Sequence, residues 1–148
     1  MRKLILIPLL SLLLASCVST KSTIKNIDDN APVPKMKDNA FIITEFSKDP
    51  KYGYDPDYPV NVFYHNSKNE TVNAERYLRA LSGPNGEKIF FKKVDTCCPF
   101  PSKRSDMGAG FVDIYEVTWV GQKKRTLLYI NIYEKGAILV PVGLGLKK

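Results

Sequence analysis

The longest apolar run in the chain lies at its N-terminus, where Leu4 to Leu14 is almost unbroken. Arg2 and Lys3 precede this run, and the residues Leu-Ala-Ser-Cys at 14–17 close it. A charged start, a short apolar stretch and small residues before a cleavage site are typical of a secretory signal peptide. The run is shorter than the roughly 20 residues that a membrane-spanning helix needs. We therefore expect residues 1–16 to be a signal peptide that is removed from the mature protein.

One segment in the middle of the chain has the apolar spacing of a helix. Its apolar side chains fall at positions i, i+3, i+4 and i+7, on one face of a helix; they are Ala74, Tyr77, Leu78 and Leu81. Asn73 has a side chain that can cap a helix N-terminus, and Gly83 before Pro84 is typical of a helix end. These signals predict a short α-helix over about 73–82, with Arg76 and Arg79 facing water.

Six other segments have the short, β-branched and aromatic composition of strands; they are 41–46, 60–64, 89–91, 111–120, 127–133 and 137–142. The fourth and fifth carry apolar residues on both alternating faces and flank a polar turn, so we expect them to form an antiparallel hairpin. A sheet of this kind with one covering helix belongs to the α+β class. We therefore predict a single α+β domain over 40–148, with a small, mainly antiparallel β-sheet and one short helix.

The segment that joins the apolar N-terminus to this domain, 18–39, is polar and has no apolar periodicity. It contains Pro32, Pro34 and the acidic pair Asp28-Asp29. This composition favours a flexible tether, whose root-mean-square reach would be roughly 25 Å. The alternative is that part of the segment packs on the domain as an irregular N-terminal arm.

The residues at 14–17 resemble the lipobox of bacterial lipoproteins, in which the cysteine is acylated and becomes the first residue of the mature chain. The resemblance implies that Cys17 carries acyl chains such as palmitate and that the lipid bilayer is the first partner of the protein. It implies three chains, and two or more hold a protein stably at a membrane. Val18, and not aspartate, follows the cysteine, which favours the outer membrane. We expect a lipid-anchored protein of the bacterial cell envelope.

Charge adds a weak indication of partners. The formal net charge of +7 becomes +5 when Arg2 and Lys3 leave with the signal peptide. Such a mild basic excess affects solubility and attraction to anionic surfaces, but it does not define a ligand. The partners we expect are an envelope protein, a glycan or an anionic lipid. Nucleic acid is not expected, because the protein is predicted to be exported and no basic run is interleaved with aromatic residues.

The most unusual interior motif is the adjacent pair Cys97-Cys98. Neighbouring Cα atoms lie about 3.8 Å apart, whereas a usual disulfide spans about 4.4–6.8 Å, so a bond between them would be strained. In an oxidising compartment it could serve as a stiff loop element or a redox switch. The two thiols could instead bind a soft metal with Met107 or His65, or the cysteines could only pack. Two cysteines fall short of a tetrahedral zinc site, so no metal is predicted.

Three tyrosines in a proline-rich loop form a candidate binding patch for a sugar or a protein; they are Tyr52, Tyr54 and Tyr58. Tyrosines also pack well over sheet edges, and this alternative stays open. Elsewhere no spacing indicates catalysis: His65 is the only histidine, and Asp113 and Glu116 are placed on opposite faces of a strand. The catalytic residues are therefore unknown, and no cofactor is indicated.

Four motifs follow one another along the chain: Tyr-Gly-Tyr at 52–54, the helix and turn over 75–88, Cys-Cys-Pro-Phe at 97–100, and Asp-Ile-Tyr-Glu-Val at 113–117. Together they resemble a family of small Bacteroidota lipoproteins over most of the chain after Lys51. Members often carry the label 2-dehydro-3-deoxyphosphooctonate aldolase, so the resemblance implies a lyase activity, without catalytic residues. The residues themselves allow redox or soft-metal handling through Cys97-Cys98. The interpretation we favour is a non-enzymatic binding or structural module of the envelope.

Overall fold

The structure is a computed structural model that describes residues 22–64 and 70–148 of the chain. The predicted signal peptide, the lipidation residue Cys17 with Val18, and the single histidine His65 lie outside the described residues.

The described residues contain one helix and eight strands in an α+β arrangement, as the sequence predicts. In chain order these are β1 (Met36–Lys37), β2 (Ala40–Phe41), β3 (Val60–Asn61), α1 (Glu70–Ala80), β4 (Leu81–Ser82), β5 (Ile89–Pro101), β6 (Ala109–Trp119), β7 (Thr126–Asn131) and β8 (Gly145–Leu146). Only β5, β6 and β7 are long. The other strands are two-residue pairings that fasten loops to the sheet or to one another.

The main sheet has four strands in the order β3-β7-β6-β5. Its long strands are antiparallel: Tyr115 of β6 lies opposite Lys93 of β5 on one side and Leu128 of β7 on the other. The predicted hairpin of 111–120 with 127–133 is thereby confirmed in the form of β6 and β7. Strand β3 runs parallel to β7, and the chain passes through α1, β4, β5 and β6 between these two strands.

The two faces of the sheet bury different clusters, because successive side chains of a strand point to opposite sides. One face packs beneath α1, where Tyr115 and Leu128 join Tyr77 and Leu78 in the main core. The opposite face holds a smaller cluster built on three buried side chains, which are Ile24, Phe100 and Val112. For this reason, both alternating sets of side chains along these strands contain apolar residues.

Helix α1 begins earlier and ends earlier than the predicted 73–82. Its apolar stripe is confirmed, since Ala74, Tyr77 and Leu78 are fully buried. Asn73 does not cap the helix. Its side-chain amide lies inside the fold and donates to the carbonyls of Val62 and Tyr64, at 3.2 Å each.

The helix end and the predicted exposure of the arginines also differ. The helix stops at Ala80, before Gly83, because Leu81 and Ser82 pair with β8. The two arginines predicted to face water are half-buried: Arg76 donates to Asn73 Oδ1 at 3.0 Å and Arg79 to Glu75 Oε2 at 2.7 Å.

Four strand predictions need correction. Segment 60–64 is a strand only at Val60–Asn61, followed by a single bridge from Val62 to Lys135. Segment 41–46 forms strand only at Phe41, and 137–142 is not a strand: a single bridge joins Phe46 to Val140. Conversely, the strand predicted over 89–91 continues to Pro101, with irregular register between Lys93 and Asp95 and between Cys97 and Phe100. These bulges let β5 follow β6 although its sequence lacks a regular apolar alternation.

Residues 22–39 form an irregular arm on the domain, which is the second of the two alternatives for the segment 18–39. Ile24 and Ala31 are buried, and the backbone amides of Lys25 and Asp28 donate to the carbonyls of Asp57 and Lys135, each at 2.8 Å. No periodic signal predicts this packing, because the arm uses two isolated apolar side chains and backbone hydrogen bonds.

Gly136 permits the close approach of this arm. A Cβ atom at this position would collide with the carbonyl oxygen of Asn26 and would lie 3.2 Å from Asn26 Nδ2 and Asn61 Cβ. The side-chain amide of Asn61 donates to the carbonyls of Lys25 and Asn26, at 3.0 and 2.8 Å. Only glycine therefore fits between the arm and β3.

We expect Gly136→Ala to loosen the arm, because backbone atoms must move to admit a methyl group. The free energy of unfolding should fall by about 1–3 kcal/mol, as in other overpacked sites, and trypsin should cut faster after Lys25. Val142→Ala, an exposed change in the same C-terminal stretch, is the control and should leave both quantities unchanged. If trypsin cuts Gly136→Ala after Lys25 no faster than it cuts the wild-type protein, the close packing of the arm at Gly136 would be contradicted.

Candidate functional site

The adjacent cysteines form a disulfide in this structure. Cys97 and Cys98 are bonded, with their Cα atoms 3.7 Å apart, inside the second bulge of β5. Cys98 has a φ of +60°, the left-handed region that non-glycine residues rarely adopt. Of the three interpretations offered by the sequence, the vicinal disulfide is therefore the one present in the structure.

This bonded form does not match the soft-metal interpretation. Each sulfur is bonded to the other, so neither is a thiolate, the form in which cysteine binds metals. Met107 lies on an exposed loop with 77% of its surface accessible. The described part of the chain contains no group of three or more His, Cys, Asp or Glu side chains placed to hold a metal ion.

The disulfide lies against the smaller core cluster, beneath the N-terminal arm. Both cysteines are half-buried and pack with Ile24 of the arm and with Phe100 and Val112 of the sheet. The ring of Phe100 meets that of Tyr133 edge-on, with centroids 6.3 Å apart. The bulge that contains the disulfide thus turns Phe100 inward, where it supports the arm.

A charged cluster ties the same arm to the loop that follows the disulfide. Glu134 is only 5% exposed and accepts a hydrogen bond from Ser102 Oγ at 2.7 Å. The guanidinium of Arg104 bridges Glu134 and Asp29 of the arm, and it lies 5.1 Å from the ring centroid of Phe63. When an ion pair is partly buried, its charged groups lose hydration, and further hydrogen bonds and opposite charges are needed to offset that loss. Sequence analysis missed this cluster, because its four charged and hydroxyl residues come from three distant parts of the chain and form no motif.

A cleft of about 420 Å³ lies between the arm and this loop, with Ile24, Ile27, Pro101 and Arg104 among its lining residues. It opens beside Ser22, the first described residue. The disulfide, the charged cluster and the cleft therefore lie together where the chain enters the domain from the segment predicted to carry the anchor.

The two acidic residues of β6 lie on opposite faces, as predicted. Asp113 is 4% exposed and its Oδ1 atom accepts from Lys93 Nζ at 2.7 Å and Thr96 Oγ1 at 2.9 Å. Glu116 pairs with Arg125 at 2.7 Å and Lys92 at 3.3 Å. The hydrogen bond from Arg125 holds the pKa of Glu116 below its ordinary value. The two carboxylates therefore have separate partners on opposite faces of the sheet.

The candidate tyrosine patch is not a surface patch. Tyr52 is fully buried, with its ring edge-on to that of Tyr58 at 5.4 Å between centroids, and the hydroxyl of Tyr54 donates to the carbonyl of Val142 at 2.7 Å. The alternative, that these tyrosines pack against the sheet, describes their position. Burial removes the ring of Tyr52 from any sugar or protein at the surface.

Tyrosine hydroxyls from three parts of the chain converge on the irregular segment 136–142. Tyr64 donates to the carbonyl of Gly136 at 2.6 Å, and Tyr77 of α1 donates to that of Leu139 at 3.0 Å. The hydroxyl of Tyr52 accepts from the amide of Leu139 at 3.1 Å. Side-chain hydroxyls thereby satisfy backbone groups that a strand would satisfy with a neighbouring strand.

Burial of these hydroxyls makes their protons harder to remove. It raises the pKa of Tyr52, Tyr64 and Tyr77 well above the ordinary value of 10. It also raises the pKa of Tyr115 to about 12, with the carboxylates of Asp113 and Glu75 adding to the effect. The neutral hydroxyls are the form that the folded protein requires.

Comparison with known proteins gave no match: no family model, no curated protein and no solved structure is similar to this chain. Within the described residues, no helix has the length and apolar character needed to cross a membrane.

We expect the folded protein to lose stability as the pH rises above 10. The unfolded chain releases tyrosine protons at a pKa of about 10, whereas the folded chain holds them to higher pH. Stability is therefore fully present below pH 10 and declines above it. Urea unfolding between pH 8 and 12 should show a plateau to roughly pH 9.5 followed by a steady fall.

Tyr77→Phe tests which tyrosines cause the decline. It should cost about 0.5–1.5 kcal/mol at neutral pH through the lost hydrogen bond, and it should make the fall above pH 10 shallower. Tyr129→Phe, on the other face of the sheet, is the matched control. An unchanged slope in Tyr77→Phe would show that the decline has another origin.

Proposed function

We propose that this protein is a lipid-anchored module of a bacterial cell envelope, held in the outer membrane through acylated Cys17, and that it acts by binding or by structural support. The observation that carries the proposal is the bonded pair Cys97–Cys98, since disulfides persist in exported proteins and are rare in the cytosol. It agrees with the signal-peptide and lipobox pattern of residues 1–17. Both features favour an oxidising compartment outside the cytoplasm.

The packed arm supports a domain held close to the membrane. The arm is fixed to the domain from Ile24 onward, through the buried side chain of Ile24 and hydrogen bonds of Lys25, Asn26 and Asp28. Ile24 is seven positions after Cys17, and seven residues span at most about 25 Å when fully extended. The domain would therefore sit near the lipid surface, nearer than a free tether over 18–39 would allow.

The polar groups at the candidate site support a structural or binding role. Glu134 and Arg104 fix the arm, and Asp113 is held by Lys93 and Thr96.

We do not extend the proposal to the aldolase activity, because the (β/α)₈ barrel of that enzyme class needs eight parallel strands and about 250 residues. The long strands here are antiparallel.

The anchor is tested by replacing its attachment residue. With Cys17→Ser, cells fed an alkyne-tagged fatty acid should yield protein without label, and the protein should leave the membrane fraction. The wild-type chain should be labelled and should sediment with outer membranes. The variant Cys97→Ser/Cys98→Ser is the matched control, because it removes cysteines but leaves the lipobox intact, and it should keep its label. A wild-type protein without acyl mass would refute the anchor.

Redox control through Cys97–Cys98 is a second candidate function, favoured by the left-handed backbone at Cys98 and the half-buried position of the pair. In the reaction, an external dithiol would donate two electrons and two protons. The sulfur–sulfur bond of Cys97–Cys98 would break into two thiols, and the dithiol would become a disulfide. Reduction would remove the constraint on the bulge that places Phe100 beneath the arm.

Hydrogen exchange measured on the native protein decides this second candidate. Addition of dithiothreitol should free two thiols and speed amide exchange of the arm, most clearly at Lys25 and Asp28. Cys97→Ser/Cys98→Ser should exchange at the faster rate with and without reductant. If reduction leaves arm exchange unchanged, the disulfide is only a structural element of the bulge, and the redox function is rejected.

A further inference from the structure

A second cleft lies where α1 ends and the short strand β4 begins. It has a volume of about 480 Å³ and is floored by Leu81, Ile89 and Phe91. A neighbouring hollow of about 290 Å³, lined by Phe41, Ile43 and Leu146, shares its edge at Arg79 and Lys147. Cavities of roughly 300–1,000 Å³ hold small ligands. Sequence analysis did not find this site, because its walls come from β2, α1, β4, β5 and β8.

The rim of this cleft is basic. Five cationic side chains border the two hollows, against two side-chain carboxylates; the cations are Lys37, Arg79, Lys88, Lys147 and Lys148. Of the carboxylates, Glu87 is held inside its own turn, where it accepts from the backbone amide and side-chain amide of Asn85 at 2.8 and 3.0 Å. Asp38 is the other.

Four of the five cations are not held by a carboxylate. Arg79 is paired with Glu75, whereas in the described part of the chain Lys37, Lys88, Lys147 and Lys148 form no ion pair with a carboxylate. The ammonium group of Lys88 lies 5.3 Å from the ring centroid of Phe90, which is exposed. The backbone amide of Lys147 donates to the carbonyl of Ala80 at 2.9 Å, so its position beside the helix end is fixed. An apolar floor with a positive rim complements a molecule that has an apolar chain and a negative head.

We propose that this cleft binds an anionic lipid with a single acyl chain, with the chain on the floor formed by Leu81, Ile89 and Phe91 and the head group between Lys88 and Lys147. None of the residues that line this cleft belongs to the disulfide or to the predicted anchor segment, so the inference goes beyond the proposed function. A bilayer near the domain would be a ready source of such lipids, but the binding itself requires neither acylation of Cys17 nor the redox state of Cys97–Cys98.

The chain provides its own reporter for this binding. Trp119 is the only tryptophan and lies opposite Ile89 in the β5–β6 pairing, so both side chains are on the same face of the sheet. Its ring also borders Gly83, at 3.1 Å from the place of a Cβ atom there. A heavy atom on an acyl chain that enters the cleft should therefore quench the fluorescence of Trp119.

The experiment titrates ω-bromoundecanoate into the full chain, held in nanodiscs of zwitterionic lipid. We expect saturable quenching of Trp119. Two related probes separate the contributions of head and chain: ω-bromoundecanol has the same chain without charge, and bromopropionate has the same head with a short chain. Both should bind at least about tenfold more weakly. The alcohol loses the attraction of the head group to the basic rim, and bromopropionate loses about fourfold in affinity for each methylene that is no longer buried.

Charge-reversal variants locate the head group. Lys88→Glu with Lys147→Glu should weaken the binding of ω-bromoundecanoate about tenfold or more, through loss of two attractions and gain of two repulsions. Lys48→Glu changes an exposed lysine that does not border the cleft, and the affinity should be unchanged. Phe91→Ala should weaken binding of the long chain and leave the weak binding of bromopropionate as it is. Circular dichroism confirms that each variant is folded.

Several outcomes would overturn the proposal. Equal quenching by the acid and the alcohol would show an apolar crevice without head-group recognition. An equal effect of Lys48→Glu would show that only net charge attracts the probe. A concentration-dependent change in Trp119 fluorescence without any probe would indicate that a second copy of the chain covers the cleft. Absence of saturable quenching in the folded wild-type protein would reject the site altogether.

Discussion

The fold depends on buried tyrosine hydroxyls that hold a segment without regular secondary structure. Segment 136–142 lies beside Tyr52, Tyr64 and Tyr77. At Gly136 and Leu139 it obtains from these side chains the hydrogen bonds that a strand partner would supply. Unpaired backbone groups in such a place would be costly. The same segment then receives the N-terminal arm at Gly136, where no side chain could fit. Tyrosine burial, the irregular segment and the docking of the arm are therefore parts of one arrangement.

This arrangement leaves two regions of the molecule with different chemical character. At the entry of the chain, the arm, the disulfide of Cys97 and Cys98, and the Arg104–Glu134 pair form a fixed connection between the domain and the segment that precedes it. At the end of α1, short strands leave an apolar floor with a basic rim. The first region is suited to holding the domain in place, and the second is suited to meeting an anionic ligand.

Prediction succeeded where a repeating pattern controls the backbone, and it failed where single contacts do. The stripe of Ala74, Tyr77 and Leu78 and the hairpin of β6 with β7 follow from periodicity, and both are confirmed. Segments 41–46 and 137–142 have strand composition, yet they share only the bridge of Phe46 with Val140. The backbone groups of Leu139 bond instead to the side chains of Tyr52 and Tyr77. In the sequence, Asn73 has the side chain of a helix cap. In the structure it lies within the helix, where its side-chain amide is buried and donates to the carbonyls of Val62 and Tyr64.

The amino-acid sequence by itself determined the α+β class, the helix stripe, the long hairpin and the adjacency of Cys97 and Cys98, because these depend on the order of neighbouring residues. Tertiary structure alone decided that the cysteines are bonded, that Tyr52 belongs to the core, that the arm is packed, and that distant lysines share the rim of one cleft. Each of these features depends on which surfaces pack together when the chain folds. That packing is determined by burial and hydrogen bonding over the whole molecule, so it cannot be predicted from a short stretch of sequence.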